Sequence, residues 1–349
     1  MKKCEERTEG KKTEIISAAL KLFLESGYEG TSIRMIAADA GCEVGLCYYY
    51  FKNKDELFSR AMELFFEHYQ KDADRIVQRG WRDPFNMMRR FWYWLLEQEQ
   101  DFRDRYEDRI HWTVHWAIRE QTLILLEPRV ERMIEILQHY GAKLELDKRI
   151  TTMYLAHGVG SMILHDGAHI MTDQKMIWEI RRGINLLMGL TPDSADLVFP
   201  NMAQLSDIPA FMGMMEQVKD SFQGFEEVQF CEMLSERIEQ QEVYVIAYHS
   251  RIVGGVIFSK ERKEIDFLAV APDCRKKKLA ARLLITAMGQ FEAGEHVTVV
   301  TYRSGDAAGW AAREFYRRMG FIEEELVVVF DYPCARLGID APERWDIFN

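Results

Sequence analysis

The sequence predicts a multidomain chain. An all-α N-terminal part opens on a helix-turn-helix and continues as a helical regulatory domain, and a C-terminal α+β domain follows on a mixed sheet. Three observations carry this. Residues 31–57 read as two short helices meeting at a tight turn, with a third helix starting at once. From Asp55 to about Thr191 the apolar spacing is almost wholly helical, with few glycines and few β-branched runs. Near Thr191-Pro192 the pattern changes, and β-branched runs alternate with helices from Asp196 onward. The expected domains are 1–58, 59–192 and 196–335, with 336–349 as a tail.

At 349 residues the chain has the length to bury two or three cores. It has no apolar run near 18 residues and no basic-then-apolar N-terminus, so a cytoplasmic rather than a membrane-spanning or secreted protein is expected. The six cysteines at 4, 42, 47, 231, 274 and 334 are scattered without a C-x-x-C pair, and read as reduced thiols. The net charge of −11 argues against a protein that coats nucleic acid nonspecifically. Residues 1–60 balance at ten Lys/Arg against ten Asp/Glu, so nucleic-acid contact there depends on placement. Lys2, Lys3, Arg7, Lys11 and Lys12 supply a basic end.

Ile15, Ile16, Ala19, Leu22 and Phe23 recur at helical spacing, predicting a first helix over 13–27 that Gly27 closes. Thr31 and Ser32 are suitable caps for the next helix, which carries Ile33, Ile36, Ala37 and Ala40 on one face. Gly41 permits the positive φ of a sharp turn. Val44 to Phe51 is too short to stand alone and must pack on its neighbours. Asn53, with Glu56 three residues on, restarts the chain as a capped helix. That layout is a helix-turn-helix, whose second helix enters a DNA major groove.

Thr31-Ser-Ile-Arg-Met-Ile-Ala37, then Gly41, then Gly45-Leu-Cys-Tyr-Tyr-Tyr-Phe-Lys-Asn-Lys-Asp-Glu-Leu57 resemble the DNA-binding domain of the tetracycline-repressor (TetR) family over roughly the first 60 residues. The resemblance implies a double-stranded DNA operator. Thr31 and Arg34, with Ser32 between them, would lie at the phosphates. Glu43, Val44, Gly45, Leu46 and Tyr49 would face the groove, and Tyr48, Lys52 and Lys54 would clamp the backbone. The family usually carries small polar and basic residues at Glu43 and Val44; here Glu43 can accept from a cytosine amine, and neither can pair bidentately with guanine.

Within 59–192, helix breaks are expected near Gly80–Pro84, Gln100–Asp104, Glu127-Pro128, Gly141–Asp147 and Thr172-Asp173. Ala156, Gly158, Gly160, Ser161, Gly167 and Ala168 are small enough for another helix to approach closely. By the same resemblance, residues 147–190 form a homodimer interface. Aromatic and sulfur side chains crowd the middle of this domain, and Trp92, Trp112, His115 and Trp116 are candidates for an apolar effector pocket suited to a hydrophobic or cationic ligand; a plain Met- and Trp-filled core is the other reading. The pairs His111/His115 and His165/His169 have metal-ligand spacing but no marked third ligand, so no metal is expected.

In the last domain strands are predicted at Leu197–Met202, Val243–Tyr248, Arg251–Phe258, Glu264–Val270, His296–Thr301 and Glu325–Asp331. Helices are predicted at Ile208–Gln217, Val228–Gln240, the stretch ending near Phe291, and Ala307–Met319, with Gly254-Gly255 as a bulge. The run Phe267-Leu-Ala-Val-Ala-Pro-Asp-Cys-Arg-Lys-Lys-Lys-Leu-Ala280 ends a strand, turns through positive charge and enters a helix, the makings of a pyrophosphate site. Val270, Pro272, Arg275 and Ala280 match the acetyl-CoA motif of the GNAT-type N-acetyltransferases, and Ala312-Arg-Glu-Phe-Tyr-Arg-Arg-Met-Gly-Phe321 resembles that superfamily's second signature. The resemblance spans about 197–335 and implies a GNAT-like sheet, acetyl-CoA and an amine acceptor.

By carry-over, the backbone at Leu268 and Val270 holds the pantetheine arm. Arg275, Lys276, Lys277, Lys278, Leu279 and Ala280 hold the pyrophosphate. Tyr316 is the acid that reprotonates the leaving thiolate, and Glu264 and Asp266 are candidate bases. Two departures stand out: Lys278 replaces the first glycine of the loop, and Gly309 replaces an asparagine often found seven residues before the tyrosine. The expected function is a DNA-binding regulator fused to an acetyl-CoA-dependent N-acetyltransferase. A regulator whose C-terminal domain only senses acyl-CoA, and a dimeric acetyltransferase with a vestigial DNA head, remain open.

Overall fold

The structure is a computed structural model that describes residues 2–106, 110–189, 199–222, 224–248 and 251–346; the side chains of 2–9, 166, 168, 171, 174 and 178 lie outside the description. Contacts divide the chain into two compact units, one of residues 1–77, 90–132 and 147–182, the other of 78–89, 133–146 and 183–349.

In the first unit, α1 (Lys2–Gly30) starts earlier than the spacing predicts, and Gly27 breaks it at φ 73 and ψ 174. The helix α2 (Ile33–Asp39) is capped by Ser32, whose side chain accepts from the Met35 amide. Gly41 turns the chain at φ 60 into α3 (Val44–Tyr50). Ile15, Ala19, Phe23, Ile36, Ala37, Cys47, Phe51 and Leu57 form one core beneath the turn. The long α4 (Lys54–Arg79) begins with Asn53 accepting from the Glu56 amide at 2.8 Å, while Glu56 reaches past Asn53 to the Lys52 amide at 2.7 Å.

Two expected breaks are absent. α5 (Pro84–Tyr106) runs through Gln100–Asp104, where Glu99–Arg103, Gln100–Asp104 and Asp101–Arg105 pair one turn apart and stabilise the polar stretch. α6 (Trp112–His139) runs through Pro128, and Arg129 donates to the Leu125 carbonyl at 2.7 Å in the turn that proline disturbs. α7 (Lys148–Met153), a π-helical turn at Tyr154–Val159 and α8 (Gly160–Thr172) follow as one stretch, then α9 (Gln174–Leu187) after the break at Asp173.

The second unit is built on a seven-stranded sheet in the order β1-β2-β3-β4-β5-β7-β6. Its strands are β1 (Asn201–Met202), β2 (Val243–Tyr248), β3 (Arg251–Ser259), β4 (Glu264–Val270), β5 (His296–Tyr302), β6 (Ile322–Val329) and β7 (Tyr332–Asp340). Its helices are α10 (Ile208–Met215), α11 (Glu227–Glu239), α12 (Leu279–Met288) and α13 (Trp310–Arg318). All pairings are antiparallel except β4–β5. Of the strand predicted at Leu197–Met202, 197 and 198 lie outside the described residues, as do His249 and Ser250 between β2 and β3.

Three expectations are corrected here. Residues 336–340 are not a tail: they complete β7, which pairs with both β5 and β6, and Trp345 beyond it is buried. Gly254 and Gly255 are not themselves the bulge; the register shifts beside them, where Ile246 pairs with Gly254 and Ala247 with Ile252. The two glycines serve packing on opposite faces, since a Cβ would stand 3.0 Å from Leu283 of α12 at Gly254 and 2.5 Å from Phe211 of α10 at Gly255. Finally, segments 78–89 and 133–146 pack with the sheet rather than with the helical domain. Phe85 lies 5.6 Å from Phe199 ring to ring, Arg82 pairs with Glu292, and the Tyr140 hydroxyl joins the Trp81 carbonyl to the Trp345 amide.

Candidate functional sites

The turn positions most of its polar and aromatic residues outward. Tyr48 is 57% and Tyr49 76% exposed on α3, a cost in apolar surface that a free helix would not bear. Arg34, Glu43, Gly45 and Lys52 are exposed, and Val44, Leu46 and Lys54 half-buried. The Lys54 ammonium lies 4.0 Å from the centre of the Tyr28 ring. Tyr28 in turn donates to Asp55, which pushes its phenol up to about 12. Lys54 is thereby held at the start of α4, where the first amides also favour an anion.

Thr31 does not belong with this set. It is 1% exposed, and its hydroxyl donates to the carbonyls of Leu22 and Gly27 at 3.0 and 2.8 Å, so it ties α2 to the broken end of α1 instead of facing a phosphate. Of the basic arm, Lys11 bonds the Ala40 carbonyl at 2.8 Å, a cation at the C-terminus of α2; the side chains of Lys2, Lys3 and Arg7 lie outside the description.

In the second unit, β4 and β5 pair only at Glu264–Thr298 and Ile265–Val299, although both strands continue. Beyond Ile265 they part, and the β4 backbone through Leu268 and Val270 is left unpaired on its β5 side. The chain then turns through Pro272–Cys274, where the Arg275 Nε donates to the Val270 carbonyl at 3.3 Å. Lys276 (φ 65) and Lys278 (φ 58) both take the left-handed conformation that glycine favours. Among the described residues no side-chain cap bonds the first amides of α12, which follow at Leu279 and Ala280. A diverging strand pair, an uncapped ten-residue helix and a loop bearing Arg275 and three lysines thus meet at one end of β4.

Tyr316 on α13 is 6% exposed between Phe315 and Phe321, and burial alone pushes its phenol up from the ordinary 10. Among the described residues its hydroxyl makes no hydrogen bond. Asp266 is spent elsewhere. It is the residue skipped where Ile257 pairs with Phe267 and Phe258 with Ile265, and its two oxygens are taken by Arg262 at 2.5 and 2.6 Å, one of them also by Arg237 at 3.4 Å. Burial raises its pKa against those guanidiniums, but a carboxylate so bonded is an ion-pair member rather than a base aimed at a substrate. Glu264 sits two residues before it, at the parallel junction. At Gly309 a Cβ would stand 2.0 Å from that of Tyr302, so no asparagine fits there while Tyr302 keeps its place.

The expected effector residues do not come together. Trp112 and Trp116 are 70% and 72% exposed, His115 stacks on Phe102, and Trp92 is buried away from open space. A cavity of about 70 Å³ opens instead between α4, α5, α6 and α8, with Phe65, Tyr69, Trp94, Phe102, Ile118 and Arg119 on its wall. Trp94 belongs to the aromatic group that suggests such a pocket in the sequence, whereas Arg119 does not stand out on a charged helix. Among the described residues no group of three or more His, Cys, Asp or Glu is arranged to hold a metal.

The fold and these two surfaces define a helix-turn-helix unit and a mixed-sheet unit with a split parallel strand pair. Residues 15–67 match the family model for bacterial regulatory proteins of the tetR family, and residues 215–332 match the model for the acetyltransferase (GNAT) domain. The chain carries a TetR-family DNA-binding domain at its N-terminal end and a GNAT acetyltransferase domain toward its C-terminal end. The HTH-type transcriptional regulator HbdR of Aromatoleum sp. (strain CIB) is 37% identical over 70 residues, which are 20% of this chain and 31% of that one. PksA of Bacillus subtilis (strain 168), another HTH-type transcriptional regulator, is 40% identical over 75 residues, 22% and 35% of the two chains. The chain thus spans about a third of the length of the curated relatives it matches. Among solved structures, Ard1 from Thermoplasma volcanium superposes with a TM-score of 0.34 at 14% identity, covering 41% of this chain and 96% of that one. An N-acetyltransferase from Staphylococcus aureus Mu50 gives 0.32 at 14%, covering 40% and 100%.

Proposed function

We propose that the protein is a bacterial, cytoplasmic, homodimeric transcriptional regulator whose fused domain transfers an acetyl group from acetyl-CoA to an amine. The observation that carries the second half is the parting of β4 and β5 beside the uncapped start of α12. The unpaired β4 backbone at Leu268 and Val270 fits an amide-bearing arm such as pantetheine. The amides of 275–280, with Arg275 and Lys276–Lys278, fit a pyrophosphate. Acetyl-CoA, when bound, supplies an activated acyl group as a thioester. The chain's own part would be to hold the amine in line with the thioester carbonyl and to give the Tyr316 proton to the thiolate released; the amine's proton would pass to water, which also returns one to Tyr316, with no covalent intermediate on the protein. The buried, uncommitted Tyr316 hydroxyl supports that role.

The DNA half rests on the exposed α3 face. Tyr49, Glu43 and Leu46 would read bases, while Tyr48, Arg34, Lys52 and Lys54 would hold phosphates, and Ser32 would fix the start of α2. For the dimer, Ile150, Met153, Tyr154, Met162 and Leu186 are 43–60% exposed, and Gly158 and Gly183 face open space. Such apolar surface over 147–189 suits a second copy. The cavity beside Trp94 would serve as the effector site. No helix among the described residues is long and apolar enough to cross a membrane.

One observation favours the sensor reading: Lys278 occupies, in a left-handed conformation, the place where glycine would let a pyrophosphate approach most closely. Operator selection from a pool of genomic fragments tests the DNA half, and release of CoA thiol from acetyl-CoA across a panel of amines tests the transferase. Thiol release with any amine rejects the sensor; binding of acetyl-CoA without release with any amine supports it.

A further inference from the structure

The cavity between α4, α5, α6 and α8 is walled mainly by carbon; of the polar groups that reach it, Trp94, Arg119 and Arg129 can only donate, Glu99 only accepts, and Tyr69, Gln70, Gln98 and Thr122 can do either. The Trp94 indole N–H is buried and, among the described residues, has no hydrogen-bond partner. A buried N–H left unmade costs on the order of 1–3 kcal/mol, so an orphan on a cavity wall marks a place for an acceptor. Arg119 also lines the cavity, and among the described residues it makes neither a hydrogen bond nor an ion pair. Burial pushes its guanidinium down from its ordinary value, with Glu99 opposing that shift and Arg103 adding to it.

The other charges on this wall are already matched. Glu99 is held by Arg103 at 2.7 Å, and Arg129 by Asp74 at 2.9 Å. What is left over is one positive charge and one indole donor. The amides of Gln70 and Gln98 line the same space without a described partner. Among the described residues the one carboxylate on this wall, Glu99, is already paired with Arg103, so a cationic ligand would meet Arg119 without a further anion to offset it, whereas a carboxylate can take both guanidinium N–H groups side by side. With a volume of about 70 Å³, below the roughly 150 Å³ of a cavity that encloses benzene, and an open mouth, the cavity admits only part of a single ring or a short chain.

We infer that this cavity binds a small amphiphilic monocarboxylate, its anionic group on Arg119 and Trp94 and its apolar body among Phe65, Phe102 and Ile118. This rests on the regulator reading only for the ligand's consequence, not for its binding. It also reverses the hydrophobic or cationic ligand that the aromatic content suggests.

Calorimetric titration of the full chain tests it with benzoate, hexanoate, benzamide and benzylamine as probes. Benzoate or hexanoate is expected to bind. Arg119→Gln should weaken that carboxylate about 10- to 100-fold, while the neutral benzamide, if it binds at all, should be unchanged. Trp94→Phe, which keeps the ring but loses the N–H, should weaken the carboxylate by about 3- to 10-fold. Arg119→Lys, with the charge kept, should recover part of the loss and shows that the Gln variant is not simply misfolded. Tighter binding of benzylamine than of benzoate, equal carboxylate binding by Arg119→Gln, or no binding of any of the four overturns the inference. Carboxylate binding that leaves operator affinity unchanged would refute the effector role and leave the carboxylate site intact.

Discussion

Gly289 at the end of α12 lies against Asp83: a Cβ built on the glycine would stand 2.5 Å from the Cβ of Asp83 and 3.3 Å from its Cα. The neighbouring Gln290 amide reaches the Asp83 carboxylate at 3.5 Å. Asp83 is 2% exposed and ends the link between α4 and α5. One short helix therefore has the candidate pyrophosphate loop at its start and this contact at its end. Gly289→Val should force the two segments apart and destabilise the chain by about 1–3 kcal/mol, read as a lower urea midpoint with an unchanged slope. An unchanged midpoint would mean that the close approach is loose.

On the DNA head, Lys54→Ala should weaken every operator about equally and lower the salt slope by roughly one unit, because a phosphate contact carries no sequence information. Glu43→Ala should instead change which operators are preferred. Thr31→Ala should lower stability, by about 0.5–2 kcal/mol through its lost bonds to α1, and leave the salt slope alone. Fluorescence anisotropy at several salt concentrations reads the binding effects, and urea unfolding the stability loss. Wild-type binding by both Lys54→Ala and Glu43→Ala would show that α3 does not face the groove.

For the transferase, Tyr316→Phe should keep acetyl-CoA affinity and lose turnover by about 10²-fold or more. The pH profile carries a second check. The acid form is the active one, and its contribution is lost as pH rises through the phenol pKa. Burial raises that pKa above the ordinary 10, so no alkaline fall from this group is expected between about pH 7 and 10. Full turnover by the phenylalanine variant moves the acid elsewhere.

Lys278→Gly separates the two roles of that lysine. Relief of the left-handed backbone (φ 58) should stabilise the chain by roughly 1 kcal/mol. Tighter CoA binding would mean that the side chain crowds the loop, and weaker binding that its ammonium holds a phosphate. Thermal unfolding and calorimetry read the two effects independently.

Much of this was written locally. Ser32, Gly41 and Asn53 act as caps and turn through bonds within a few residues, so the helix-turn-helix is readable in sequence. The loop after Val270 is readable for the same reason, since strand, turn and helix start are contiguous. What misled depends on distant partners. Thr31 looks like a phosphate ligand until the end of α1 is laid over it. β7 begins Tyr332-Pro333 and contains Gly338, poor strand signals, yet it is sheltered between β5 and β6, where a Cβ at Gly338 would strike Glu324 at 2.0 Å. Asp266 faces the guanidiniums of Arg237 and Arg262 only because β4 skips a pairing. The cavity at Trp94 and Arg119 is assembled from four helices, and exposed Trp112 and Trp116 carried a similar sequence signal.

The central claim is that one chain reads DNA and binds acetyl-CoA, with α12 linking the cofactor loop to the segment that joins α4 to α5. It is tested most directly by titrating labelled operator with and without saturating acetyl-CoA, then acetyl-CoA with and without operator. The account predicts binding in both titrations and a shift of about 5- to 150-fold, equal in the two directions as linkage requires. Gly289→Val should reduce that shift. Identical curves with and without the second ligand, in both titrations, would contradict it.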